Sequence, residues 1–306
     1  MSARPRIVLA LGGGIARGWA HIGVLRTLIN AGYAPDVVCG TSIGSVVGGF
    51  YVAGKLDELE GWARSLTSRK IFGLLDFTFG GSGLFGGHLL TKLIEEQVGA
   101  ACFDALTRPF AAVATELETG REVWLRDGPL IDAMRASYAL PGVFAPVKYE
   151  GRWLVDGGLV NPCPTSLARS YGGHVVIAVS LHTDVIGEPD ERTSSDETSL
   201  IAAMNADAKT NASSWIRPDR LILQHIFGPG RDGPGLSQVM LNALNILLDR
   251  VSRARLAGDP PDVLIAPHVA QIGLIEFDRA AETIELGAKA ARDALPYIQH
   301  ALHKLS

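Results

Sequence analysis

Three short stretches of this chain hold residues whose types and spacing suit acyl chemistry. Ser42 lies in Gly40-Thr41-Ser42-Ile43-Gly44, after the β-branched run Val37-Val38 and Cys39 and before small residues at helical spacing. An esterase serine must stand out from its scaffold where a substrate carbonyl can reach it. A tight strand-turn-helix does this, and glycines two before and two after the serine avoid clashes across the turn. The helix N-terminus beneath it also favours developing negative charge. The same five residues read equally as a serine N-cap between turn glycines.

The second stretch is Leu9-Ala10-Leu11-Gly12-Gly13-Gly14-Ile15-Ala16-Arg17-Gly18. A strand, three glycines and a helix bring unpaired amides together as an anion cradle. A dinucleotide fingerprint fits poorly, because Arg17 stands where its third glycine belongs. A phosphate-binding P-loop is missing its Lys-Ser/Thr, since Gly18 is followed by Trp19. An oxyanion hole needs only amides near the nucleophile. Two adjacent parallel strands ending at Leu11 and Cys39 would set the glycine loop beside Ser42. Glycines that only permit tight strand-helix packing are the simpler alternative.

The third stretch bears on the base. Asp156, in Trp153-Leu154-Val155-Asp156-Gly157-Gly158, ends an apolar strand and can point into a pocket with nothing crowding it. Asp-Gly-Gly is also an ordinary turn signal. A free aspartate is a weak base at neutral pH, so this role requires burial and a direct hydrogen bond to Ser42. The rival is a histidine triad, for which His174 or His182, flanking a predicted strand, are the candidates. His21 reads as structural, and His300 and His303 as solvated. Ser42 after only the second strand is early for an ordinary α/β-hydrolase.

The elements that must position these groups follow from periodicity. A buried strand is predicted at Arg6 to Leu11, a helix at Ala16 to Ala31 stopped by Gly32, a strand at Asp36 to Cys39 and a helix at Ile43 to Val52. This βαβα opening implies α/β architecture with a mainly parallel sheet. Further strands are expected at Phe110 to Thr115, Glu122 to Leu125, Arg152 to Val155, His174 to Ser180 and Asp262 to Ala266. Long helices are expected at Leu236 to Leu256 and Arg279 to His303. Residues 62–90 read as irregular, and 182–198 as an acidic surface loop. With no repeat and no clear linker, residues 1–306 read as one domain, with core blocks at 6–180 and a C-terminal extension at 236–306.

The 306 residues are 47% hydrophobic with a formal charge of −4, which excludes a global attraction to nucleic acid. Three widely spaced cysteines, Cys39, Cys102 and Cys163, make neither a zinc pattern nor a disulfide framework. With no apolar run near the length of a spanning helix, the reading is a cytoplasmic protein. Composition leaves the oligomeric state open.

Taken in order, these blocks resemble the patatin-like phospholipase family, in its bacterial branch related to neuropathy target esterase. LALGGGIARGWAHIGVL is similar to the family's oxyanion block and Gly40 to Gly44 to its nucleophile block. ATELETGREVW (114–124) and RASYALPGVFAPV (135–147) resemble two further segments. VDGGLVNPCP (155–164) resembles the block with the catalytic aspartate, and PDVLIAP with Glu276 to Ala280 the C-terminal region. The resemblance implies a three-layer α/β/α fold and a Ser-Asp dyad without histidine. Ser42 would be the nucleophile, Asp156 the base, and the amides of Gly12, Gly13 and Gly14 the oxyanion hole. Arg17 and Gly18 would support that loop, Gly40 and Gly44 the elbow, and Gly157 and Gly158 the aspartate's turn. It implies a lipid ester as substrate, with no metal and no cofactor. Ile15 departs from the branch, which often has a fourth glycine there, and Glu116 stands where aspartate is expected. The basic and aromatic mixture at 64–79 suits contact with a bilayer, and equally a cap packed on the core. Besides a lipid esterase, two functions remain open: a histidine-triad esterase, and a regulatory module with weak activity.

Overall fold

The computed structural model describes residues 5–74, 83–85, 87–99, 101–182 and 236–305. Its centre is an eight-stranded sheet. The strands are β1 (Ile7–Leu11), β2 (Val37–Thr41), β4 (Phe110–Glu116), β5 (Glu122–Leu125), β7 (Val147–Tyr149), β8 (Arg152–Asp156), β9 (Val175–Val179) and β10 (Val263–Ile265); β3 (Gly83–Phe85) and β6 (Gly142–Phe144) form a separate pair. The order is β10-β9-β1-β2-β4-β8-β7, with β5 also on β4. From β10 to β4 every pair is parallel, while β5, β7 and β8 enter antiparallel.

The buried strands are apolar on both faces, which calls for helices on each side. Along β1, Ile7, Leu9 and Leu11 join one core cluster with α1 (Ala20–Asn30), α2 (Ile43–Val52) and α9 (Ala280–His303). Val8 and Ala10 face the other way, towards Leu167 and Ala168 of α7 (Thr165–Ser170) and Leu256 of α8 (Leu236–Gly258). The result is the expected three-layer α/β/α arrangement.

Several expectations are refined. β2 does not stop at Cys39. Gly40 and Thr41 still pair with Ala112 and Val113 of β4, so the whole change of direction falls on Ser42. The first helix begins as a 3-10 turn over Ile15–Trp19 before α1. The segment read as irregular contains helices: α3 (Leu56–Ser65) runs into it, followed by α4 (Ser68–Leu74) and α5 (His88–Val98). Leu56, Leu59 and Ala63 of α3 are buried at helical spacing, and the sequence window opened too late to catch them. α6 (Leu130–Tyr138) is a further helix that the sequence reading passed over. Within the stretch read as bilayer contact or cap, Arg64 pairs with Glu60 and Ser68 bonds Asp278; residues 75–79 lie outside the described residues. His182, expected at the start of an exposed acidic loop, is buried; residues 183–198 lie outside the described residues.

The C-terminal helix holds the first helix at very close range. A Cβ on Gly23 of α1 would overlap the Ile284 carbonyl oxygen, and one on Gly287 of α9 would overlap that of Ala20. Only glycine allows the two backbones to touch at this crossing. Gly23→Ala or Gly287→Ala should therefore cost about 1–3 kcal/mol by overpacking, read as a lower urea midpoint with an unchanged m-value.

Candidate functional site

The serine and the aspartate are brought together by strand register. β2 pairs with β4 up to Thr41 opposite Val113. β8 pairs antiparallel with β4 and ends with Asp156 opposite Ala114, the next residue. β5 covers Ala112 to Thr115 of β4 and so occupies the opposite edge. β2 and β8 therefore share one edge of β4 and run head to head, and their last residues meet. Ser42 Oγ donates a 2.6 Å hydrogen bond to Asp156 Oδ2.

Ser42 has φ +54° and ψ −125°, a strained backbone for a residue with a side chain. The glycines around it are required by close approach: a Cβ on Gly44 would overlap the Leu11 carbonyl, and one on Gly40 would stand 2.5 Å from the Gly44 carbonyl oxygen. The Ser42 amide donates to Ser137 Oγ at 2.9 Å, and its carbonyl accepts from Ser45 Oγ at 2.6 Å. Ser42 makes no side-chain cap to α2, which removes the plain N-cap reading.

Asp156 is 2% exposed. Its second oxygen, Oδ1, accepts the Gly158 amide at 2.7 Å, so the Asp-Gly-Gly turn and the bond to serine coexist on one carboxylate. Its amide donates to the Ala139 carbonyl and its own carbonyl accepts from Thr115 Oγ1. Burial pushes the carboxyl pKa up to about 6, against the opposing pull of the bonds from Ser42 and Gly158.

The glycine loop runs beside the serine, with Gly13 against the Ser42 Cβ. Its amides divide in two. Gly12 donates to the Val179 carbonyl at 3.0 Å and Gly13 to the Pro162 carbonyl at 2.8 Å, so both are occupied within the scaffold. The Gly14 and Ile15 amides have no protein acceptor among the described residues. Ile15 takes φ +53°, the left-handed region that glycine favours, despite its branched side chain. A branched side chain thus occupies, at a cost in strain, an angle that glycine adopts freely.

The loop is braced from three sides. His21 is fully buried, and its Nε2 lies 2.7 Å from the Gly12 carbonyl oxygen; that atom must carry the proton, because a carbonyl only accepts. Burial lowers the His21 pKa to about 4 and keeps the ring neutral. Arg17 is not a surface residue. It is 6% exposed, bonds the Ile272 carbonyl through Nε at 2.8 Å, and is lowered to about 10 by burial. Gly18 lies where any Cβ would overlap the Ile43 side chain. Gly157 is pressed in the same way against the Val113 carbonyl, and Gly158 sits under Leu248.

Neither triad histidine bonds Ser42 among the described residues. His174 Nδ1 accepts the Arg6 amide at the opposite end of the sheet. His182 follows β9 at the site's end of the sheet, buried, with neither ring nitrogen partnered among the described residues. Burial lowers its pKa to about 4, assisted by the Arg17 charge and opposed by Asp249. Sequence reasoning missed Ser137 and Thr115, which lie in blocks quoted above but bear no motif of their own. No three His, Cys, Asp or Glu side chains among the described residues gather as metal ligands would.

A serine on a strand-helix elbow, a buried carboxylate on its hydroxyl and a glycine loop alongside are an arrangement suited to acyl transfer. Residues 9–169 match the sequence model of the patatin-like phospholipases. An uncharacterised NTE family protein of Mycobacterium tuberculosis is 36% identical over 333 residues, 96% of this chain and 92% of the relative. Human patatin-like phospholipase domain-containing protein 6 is 35% identical over 192 residues, 60% of this chain but 14% of that protein. Among solved structures, VipD from Legionella pneumophila aligns over 96% of this chain and 67% of its own at 12% identity and a TM-score of 0.46. The chain belongs to the patatin-like phospholipase family, and it is a lipid ester hydrolase in the broad sense. No helix among the described residues is long and apolar enough to cross a membrane.

The raised carboxyl has a consequence for stability. The folded state holds the Asp156 proton up to about pH 6, whereas the unfolded chain releases it near the ordinary carboxylate value of 3.8. Between those values the native state binds more protons, so this group's contribution falls as pH rises. Asp156→Asn should therefore stabilise the protein above pH 6, by at most about 3 kcal/mol, and make no difference below pH 4, as measured by urea unfolding across pH.

Proposed function

We propose that this protein cleaves carboxylic ester bonds of phospholipids or lysophospholipids through a Ser42-Asp156 dyad and an acyl-enzyme. The observation that carries the reading is the 2.6 Å bond from Ser42 Oγ to a buried carboxylate whose pKa is raised to about 6. That value suits a general base near neutral pH far better than a solvated aspartate does. Ser42 Oγ attacks the ester carbonyl while Asp156 takes its proton. The oxyanion forms beside the Gly14 and Ile15 amides, which supply a few kcal/mol of transition-state stabilisation, of order 2–4 by analogy with other oxyanion donors. Asp156 then gives the proton to the departing alkoxide, leaving the acyl group on Ser42. Water enters, loses a proton to Asp156 and attacks the acyl carbonyl. Collapse releases the fatty acid, and the proton returns to Ser42.

This reading shifts the donor set from the three glycines to Gly14 and Ile15. It uses the amide of Ile15 and not its side chain. Ile15→Gly should accordingly keep hydrolysis within a few-fold of native, because glycine retains the N–H and adopts the required angle freely.

Fluorophosphonate labelling tests the dyad. Ser42→Ala should abolish labelling, Asp156→Asn should slow it at least about 100-fold, and His174→Ala and His182→Asn should leave it largely intact. The native labelling rate should rise with pH along a single limb near pH 6, where Asp156 loses its proton. Loss of labelling in a folded His182 variant would instead favour a histidine base.

A further inference from the structure

Helix α8 turns an apolar stripe to the solvent. Its solvent face bears Val239, Met240, Ala243, Ile246 and Leu247, a spacing that puts all five on one side. The four larger ones are 48%, 57%, 51% and 60% exposed. The inner face, beside Leu248, bears Asn245, Asp249 and Ser252, and the last two are almost completely buried. Asn245 Oδ1 and Ser252 Oγ have no partner among the described residues. A surface helix normally keeps its outer face polar, so this apolar stripe is built to meet something other than water.

The charges around the stripe favour one occupant. From Leu236 to Leu248 the helix has no acidic residue. Its one acidic residue, Asp249, has a side chain that is 0% exposed and paired with Arg253. Arg255 is held by Glu122 and the Val160 carbonyl. Arg250 is exposed, stands three and four residues beyond Leu247 and Ile246, and has no partner among the described residues. The outer surface is therefore apolar with a cation at its end, which complements an anionic lipid surface. The position fits as well. α8 packs on the turn after Asp156, with Leu248 against Gly158.

We propose that the outer face of α8, from Val239 to Arg250, is a docking surface for anionic lipid bilayers and sets the catalytic turn beside the membrane. The inference rests on the lipid-hydrolase reading for its purpose but not for its test. It places membrane contact on α8 and not on residues 64–79.

The test is flotation of the full chain with vesicles of phosphatidylcholine and phosphatidylglycerol in a 70:30 ratio, alongside turnover of a water-soluble short-chain ester. Native protein should float. Ile246→Glu/Leu247→Glu should reduce the bound fraction about tenfold or more, and Arg250→Glu should weaken it and its salt dependence, with soluble-ester turnover changed less than twofold. Leu247→Trp keeps an apolar residue at the stripe, and its emission should move to the blue when these vesicles are added. Equal flotation of native and double variant overturns the proposal, as does a native protein that never floats. So does a native dimer that the double variant converts to monomer in sedimentation, which would make a second copy the occupant. Protection of the stripe from hydroxyl-radical labelling in vesicle-free native protein also overturns it, because the chain itself would then cover it. A native protein that floats through the stripe but hydrolyses no ester supports the docking surface while removing the hydrolase reading.

Discussion

Two strands meeting head to head along one edge of β4 are the constraint on which the site depends. β2 climbs that edge to Thr41 and β8 descends it to Asp156, opposite Val113 and Ala114 in turn. Neither strand can advance further without colliding. The chain must leave the edge at Ser42, in a left-handed backbone, and at Gly157, which has no room for a Cβ. The 2.6 Å bond between the two side chains is a product of this register, held by the backbone hydrogen bonds of three strands and not by the side chains alone.

The same arrangement accounts for the electrostatics. The meeting point lies against the glycine loop at Gly13, and the carboxylate is nearly cut off from water. It retains one bond from an amide and one from the serine, enough to orient it but too few to hold it strongly acidic. The buried histidines are shifted the opposite way. His21 and His182 are both lowered to about 4 and stay neutral. His21 spends its Nε2 proton on the Gly12 carbonyl, where it shapes the loop rather than the chemistry.

The C-terminal segment belongs to this construction although it lies beyond the residues that match the family model. The Ile272 carbonyl holds Arg17, the Phe277 carbonyl holds Trp19, and α9 locks α1 at the Gly23–Gly287 crossing. The loop that flanks Ser42 is thus fixed by residues more than 250 positions away. Alignment to the mycobacterial relative runs across nearly the whole chain, in keeping with that dependence.

What the sequence determined by itself was local. Gly40, Ser42 and Gly44 announce an elbow because the clash they avoid spans only two residues either way, and short continuous apolar runs announce strands buried on both faces. Ser42 and Asp156 could be named, but not joined. Their contact requires β8 to reverse direction and share an edge with β2, a pairing across 114 residues that no periodicity encodes. Which amides are left free could not be read for the same reason. Three glycines look alike in sequence, yet Val179 and Pro162, brought in from distant strands and turns, take the first two and leave Gly14 and Ile15. Tertiary structure alone decided which side of α8 faces inward, because helical spacing reveals an apolar stripe without saying whether the core or the outside world will cover it.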